Sequence, residues 1–321
     1  MTADVSILIP AYAAEAFIER TLQHARAQTH EAISILVAID QCEDRTEEIA
    51  RAHAAADPRV TVFKQRERVG WAGNVNFLLD RADTPFHFIY FHDDIIAPAY
   101  VETLLAALRA APDAASVHCD MGHFGGSDAV SLGRPYDGDA VRRLLIFMLA
   151  PYRGSPLRSL MRADAVRGLR LPQFDAAAIW ANEPFLIRLI GAGPALHVPQ
   201  ALYHRWDKRG GGLTDSWKAL PRAHIFAGHK ANIALAMNVI DAAARNEAER
   251  AMLVFACFLY ALPIVRALEQ DGFVFARPEE LHPRFAALAP PPSFDVYGGD
   301  IAAWAAQRWA DAEADLAARG A

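Results

Sequence analysis

Four short runs of β-branched and aromatic residues, each set off by a turn or a stretch with helical spacing, constrain this chain more than any other feature. They are Val5–Pro10 (VSILIP), Ile33–Ile39 (ISILVAI), Val60–Phe63 (VTVF) and Phe86–Phe91 (FHFIYF). Such side chains favour extended backbone, and near-continuous apolar runs belong to strands covered on both faces. After the first run, Glu15–Ala27 places Phe17, Ile18, Leu22 and Ala25 on one helical face. A polar turn and a helix from near Arg45 follow the second. A helix from about Trp71 to Arg81 follows the third and is broken by Thr84-Pro85, because the residue before proline is driven from helical to extended backbone. Alternation of this kind builds a parallel sheet with helices on both faces. The expected class is α/β, doubly wound.

In such sheets ligands sit beyond the carboxyl ends of the strands. The polar residues there are Tyr12 after the first strand, Asp40 after the second, Gln65 to Arg68 after the third and His92-Asp93-Asp94 after the fourth. Neither GxGxxG nor GxxxxGK[ST] follows the first strand, which argues against dinucleotide dehydrogenases and P-loop enzymes.

The rest of the chain is less regular. Glycine-rich loops near Gly122–Gly126, Gly133–Gly138 and Gly210–Gly212 surround a strand-like Ala115–Met121, a helix at Ala140–Leu149 and the segment Leu157–Arg162. From Trp217 onward the pattern is helical, with segments at Ile225–Ala244 and Glu247–Leu268, a proline linker at Pro290–Pro292 and a last helix. The expected organisation is a catalytic domain over residues 1–215 and a helical C-terminal region over 216–321. Met252–Val265 is the longest apolar stretch. It falls short of the roughly 20 residues that span a bilayer and contains Pro263, so it reads as a buried helix, with peripheral membrane contact or a homodimer contact as alternatives.

Charge and cysteines narrow the function. Lys and Arg number 32 against 38 Asp and Glu, a net charge of −6, and no basic stripe is present, which excludes a nucleic-acid groove. Cys42, Cys119 and Cys257 form no CxxC pair, so neither a disulfide framework nor a cysteine zinc site is expected. The amino terminus lacks the basic start and apolar stretch of a secretory signal. A cytoplasmic location follows, at the inner face of the membrane if the C-terminal helices meet a lipid-linked acceptor.

FHDDIIAP carries the most chemistry. Two adjacent carboxylates at a strand end rarely both stay ionised without a cation nearby. Mg²⁺ or Mn²⁺, which prefers one or two carboxylates plus phosphate oxygens, is the natural partner. A solvated turn capping the next helix is the alternative.

Taken together and in order, VSILIPAY, DQCEDRT (Asp40–Thr46), VGWAGNVN (Val69–Asn76) and FHDDIIAP resemble the inverting family 2 glycosyltransferases of the GT-A fold, over roughly the first two thirds of the chain. The resemblance implies a doubly wound GT-A sheet, a nucleotide-diphosphate sugar donor, first of all a UDP-sugar, and a sugar or glycoconjugate acceptor. Pro10, Ala11 and Tyr12 would wrap the nucleobase and ribose, and Asp40 would hydrogen-bond the base. Gly70 and Asn76 match the segment that closes over the donor, with Val75 standing where the family usually has arginine and Ala13 where it commonly has asparagine. His92-Asp93-Asp94 fills the place of the D-x-D motif, which makes Asp94 the direct metal ligand, His92 a second ligand through its imidazole, and Asp93 a ribose or sugar contact.

Inverting transfer needs a carboxylate to take the acceptor hydroxyl proton. Trp180–Leu189 (WANEPFLIRL) resembles the segment that supplies it, with Glu183 as the base and Asn182 in place of a second acid. His204, Arg205, Lys208 and Arg209, before the three glycines, would reach the diphosphate. Asp120 and His123 are further candidates for the acceptor pocket. The expected activity is transfer of one sugar with inversion, in assembly of a bacterial surface glycan or glycoconjugate. A nucleotide-binding scaffold with weak catalysis is the second reading, motivated by Ala13, Val75, His92 and Asn182. A sugar nucleotidyltransferase is the third, and PAYAAE lacks its glycine-rich, arginine-containing loop.

Overall fold

The computed structural model describes residues 2–151, 156–174, 178–207, 217, 219–269, 278–287 and 292–319. The four apolar runs form β1 (Val5–Ala11), β2 (Ile33–Ile39), β3 (Val60–Lys64) and β4 (Phe86–Ile89), all parallel and ordered β3-β2-β1-β4. The first of them is buried along its whole length, and its alternate side chains feed two layers. Val5, Ile7 and Ile9 pack with Ile18 and Leu22 of α1 (Ile18–Arg26) and Leu104 of α4 (Tyr100–Ala110). Leu8 packs on the other face with Val75 and Leu78 of α3 (Gly70–Leu79) and with α5 (Ala140–Leu149). Burial on both faces is why these strands read as continuous apolar runs rather than alternating ones. The helix α2 (Thr46–Ala56) crosses from β2 to β3.

Beyond β4 the sheet turns mixed, which the strand–helix alternation did not foretell. The full order is β3-β2-β1-β4-β8-β6-β9-β5, with β7 paired to β6. Here β5 is Ile95–Ile96, β6 is Ser116–Phe124, β7 is Val130–Ser131, β8 is Leu160–Arg162 and β9 is Ala195–Trp206. The short β8 lies antiparallel between β4 and β6. β6 and β9 run parallel, but their register shifts on both sides of Asp120, which pairs with Ala201 where Cys119 had paired with Val198. Pro199 sits in the bulge, where its missing N–H costs no ladder bond.

The C-terminal helices share the core of the sheet. α6 (Asn182–Ala192), α7 (Arg222–Ala243) and α8 (Glu247–Glu269) bury apolar side chains in the same cluster as Leu8, Leu36 and Ile89, and α9 (Gly299–Arg319) packs on α5 and α8. From Met252 to Leu262 no residue is more than 9% exposed. A helix apolar all round is an interior helix, so this stretch presents no free face to a lipid surface. Among the described residues no helix is long and apolar enough to cross a membrane. Ending the chain after residue 215 should therefore uncover the α5 and α6 faces and give aggregated protein on size-exclusion chromatography. A monodisperse, folded truncation would contradict this packing.

Three histidines among the described residues are buried deeply enough that desolvation outweighs any charge nearby. Burial holds His87 and His229 down to about 4 and His118 to about 3. Because these folded values lie below the ordinary value near 6.5, the unfolded chain binds more protons between about pH 6.5 and pH 4. Stability is then complete above that window and falls as pH drops through it. At roughly 1.4 kcal/mol per pH unit and group, each histidine contributes about 3 kcal/mol to the loss by pH 4. Urea midpoints should fall steeply from pH 7 to 5, and less so for His118→Phe combined with His229→Phe. Equal slopes would show that these rings are protonated in the fold.

Candidate active site

The carboxyl ends of β1, β2 and β4 lie side by side where the sheet extends from β1 in both directions, the switch point at which open α/β sheets form their ligand crevice. Loops after β1 and β2 are stitched together. The Ala14 N–H donates to Thr46 Oγ1 (2.7 Å), Glu15 N–H to Asp44 Oδ2 (3.0 Å) and Arg45 N–H to Glu15 Oε2 (3.1 Å). Ala13 takes a left-handed conformation, φ 46°, which strains a residue with a Cβ. That turn presents Tyr12, 39% exposed, at the rim of the crevice. Buried Asn74 ties the strand ends beneath it by donating to the Ala38 (2.7 Å) and Ala11 (3.3 Å) carbonyls and accepting from Gln65 Nε2 (3.1 Å).

Asp40 does not wait free for a base. Its Oδ1 accepts from the Val69 and Gln41 N–H groups, both at 2.9 Å, and its Oδ2 accepts from Gly70 N–H at 2.9 Å, with Arg68 Nε at 3.3 Å. In this structure the carboxylate organises the loop between β3 and α3. Gly70, φ 73°, can take the left-handed backbone that aims its N–H at the carboxylate. Arg68 closes the group, its guanidinium 3.5 Å from the centroid of the Tyr12 ring. This cation–π contact covers one face of the Tyr12 ring. Arg68 was visible among the polar residues after β3, but nothing in its spacing singled it out.

In the fourth loop the carboxylates divide. His92 accepts from Thr21 Oγ1 at its carbonyl (2.6 Å), and its Nδ1 lies 3.1 Å from the Pro10 carbonyl, so that nitrogen carries the proton and Nε2 keeps its lone pair. Backbone support of this kind is how metal-binding histidines are oriented. The Asp93 carbonyl accepts from Arg20 (3.2 Å), and the residue is half-buried. Asp94 is 1% exposed. Its Oδ2 accepts from Tyr203 OH (2.8 Å) and from Arg158 Nη2 and Nε (3.1 and 3.2 Å), and its Oδ1 accepts from Trp206 N–H (3.0 Å). Burial pushes the Asp94 carboxyl up, opposed by Arg158. Burial also disfavours the Arg158 charge, but Asp94 and Tyr203 outweigh it and hold the guanidinium above its ordinary range. In this structure Asp94 is a buried tie between the β4–β5 turn and β9. Among the described residues no three His, Cys, Asp or Glu side chains converge as a metal cage. His92 and Asp93 nonetheless fit a hard cation that takes its remaining ligands from phosphate oxygens.

Glu183 lies in the first turn of α6, where it accepts from Asn182 Nδ2 (2.9 Å). The preceding turn holds two residues with left-handed backbone, Ala178 (φ 44°) and Trp180 (φ 48°). The Ala178 carbonyl accepts from Trp71 Nε1 (3.3 Å), which docks this turn on the first turn of α3. Trp217 lies 6.4 Å from Trp71 and 5.9 Å from Trp180 between ring centroids, so three tryptophans gather at the turn that leads into α6.

Asn76 clasps the segment at Leu171. Its Nδ2 donates to the Leu171 carbonyl (2.8 Å), and its Oδ1 accepts from Leu171 N–H (2.9 Å). Arg205, 44% exposed, pairs with Asp207 (3.0 Å), which also meets His123 Nδ1 (3.0 Å). Asp120 pairs with His197 (2.7 Å) and accepts from Gly133 N–H (2.6 Å). Lys208, Arg209 and the three glycines lie outside the described residues. Arg158, Tyr203 and Trp206 escaped the sequence reading, because no local pattern links them to Asp94.

An open α/β sheet with this strand order and crevice defines the GT-A class of fold. Crystal structures of S. aureus TarS 1-349 in complex with UDP-GlcNAc and of S. aureus TarS share it. Their TM-scores are 0.70 and 0.66, each at 14% identity, covering 89% and 86% of this chain and 78% and 46% of those chains. At such identity the likeness speaks for the fold alone. The chain belongs to glycosyl transferase family 2, whose sequence profile matches residues 6–166. Glycosyltransferase GlyG of Streptococcus pneumoniae is 29% identical over 100 residues, and glycosyltransferase AglD of Haloferax volcanii is 32% identical over 115. The matched segments cover 31% and 33% of this chain but only 33% and 18% of those relatives.

Proposed function

We propose that this chain is an inverting glycosyltransferase that moves a sugar from a nucleotide-diphosphate sugar, first of all a UDP-sugar, to an acceptor hydroxyl. The acceptor belongs to a bacterial surface glycan or a related glycoconjugate. One observation carries the reading: the Trp71–Ala178 hydrogen bond docks the Glu183 turn on the helix end whose Gly70 N–H is bound by Asp40. That contact supports the reading, in which the nucleotide-binding loops and the carboxylate base share one end of the sheet.

In this reading Tyr12 stacks on the base once Arg68 swings off its face, and Arg68 stays within reach as a donor to the nucleotide. Asp93 takes a ribose or sugar hydroxyl, while Arg205 lies on the strand end facing the diphosphate. His92 Nε2 and Asp93 would hold Mg²⁺ or Mn²⁺, which when bound supplies positive charge to the leaving diphosphate. Glu183 accepts the acceptor hydroxyl proton as the oxygen attacks the anomeric carbon from the face opposite the diphosphate. Trp180 and Trp71 offer flat apolar faces to the sugar rings. The catalytic unit spans residues 1–215, completed by the packing of residues 216–321.

Calorimetric titration of UDP, GDP, CDP and dTDP, with and without Mn²⁺, tests the reading. One nucleotide should bind, and Tyr12→Ala should weaken it at least tenfold. Binding with no turnover of any matching nucleotide sugar would instead support the scaffold. No binding by any of the four would sink both.

A further inference from the structure

A second cavity lies at the opposite end of β4. Its volume is 410 Å³, within the range of small-molecule sites. It sits between the last turn of α3 (Leu79), the start of β4 (His87), the loop Asp164–Arg170 and Phe185 of α6. Gly70 and Leu79 stand at opposite ends of α3, about 14 Å apart at 1.5 Å per residue, so cavity and crevice are separate.

His87 is 6% exposed, and neither ring nitrogen has a hydrogen-bond partner. A buried polar group left so costs about 1–3 kcal/mol, and a neutral imidazole offers one donor and one acceptor at once. The charged wall is balanced. Asp83 and Asp164 face Arg167 and Arg170, with Arg167 paired to Asp164 (2.5 Å) and Arg170 Nε to Asp80 (2.8 Å). An ion gains no net field by entering, whereas hydroxyl groups can donate to the carboxylates and accept from the guanidinium forks. Leu79, Met161, Val166 and Phe185 supply an apolar floor for a ring that is polar at its edge and apolar on its face.

We propose that this cavity is a second binding site, for an uncharged polyhydroxylated ligand of one or two sugar rings, seated on His87. The inference does not rest on the assignment of the crevice. A free sugar and the end of a glycan chain share this chemistry.

Saturation-transfer NMR on the full chain separates the sources, with glucose and N-acetylglucosamine in one arm, maltotetraose and chitotetraose in another, and inorganic phosphate and citrate in a third. At least one sugar should bind, undisplaced by UDP, and shift the His87 ring nitrogens. His87→Phe should weaken it at least tenfold while Glu183→Gln leaves it unchanged. Ala82→Trp, which fills the cavity from a half-exposed position on its wall, should do the same as His87→Phe and decides the matter if that variant does not fold. Sugar binding that survives Ala82→Trp, displacement by phosphate or citrate, or no sugar binding up to 50 mM would each overturn the proposal.

Discussion

Arg158→Met should destabilise the fold by about 3–5 kcal/mol, because it strands the Asp94 carboxylate in the interior without its charge partner. Asp94 is 1% exposed, and the Arg158 side chain 17% exposed, so solvent screens this pair little. The loss should appear in urea unfolding at pH 7.5 as a shifted midpoint. Pairing the change with Asp94→Leu should recover most of it, since a buried ion pair replaced on both sides by apolar groups is often neutral or better. A single-variant loss below about 1 kcal/mol would mean that Asp94 has another partner in solution, a bound cation among the candidates. The same pair of variants thus separates a structural carboxylate from a metal ligand, which sequence position alone could not do.

Glu183→Gln should lower kcat by about 10²–10⁴-fold, the usual contribution of a positioned base, with the KM for donor little changed. The amide keeps the size of the side chain and its contact with Asn182 while removing the proton acceptor. Nucleotide affinity measured by calorimetry should stay within twofold of wild type. Equal losses in kcat and in nucleotide binding would make Glu183 a structural residue of α6 and move the search for the base elsewhere. A variant that retains full turnover would do the same.

The half of the fold that was legible is the half with local periodicity. β1 to β4 and their helices each announce themselves over a window of a few residues, and Tyr12, Asp40 and His92 stand where strand ends must put them. β8 was hidden because three residues carry no period. The fate of Asp94 was hidden for another reason: its partners lie 64, 109 and 112 residues on. Adjacent carboxylates after a strand look alike in sequence whether they face solvent or a buried arginine. The contacts of Asn76 were hidden similarly, since its two hydrogen bonds to Leu171 are made by a segment with no recognisable pattern. Matching a family position locates a residue in the fold, and only its contacts decide its work.

The strand order also sets a schedule for synthesis. The β3-β2-β1-β4 half can pair once residue 89 has emerged, and chains fold from the amino terminus as they are made. β9, by contrast, must arrive before β5 finds its partner, at Ile95 with His204. A nascent chain halted before β9 therefore carries a paired half-sheet while Asp94 lacks its Tyr203 and Trp206 donors. The last strand works as a completion signal: a ribosome-bound fragment has the first half of the sheet but cannot complete the second until the chain is nearly two thirds made.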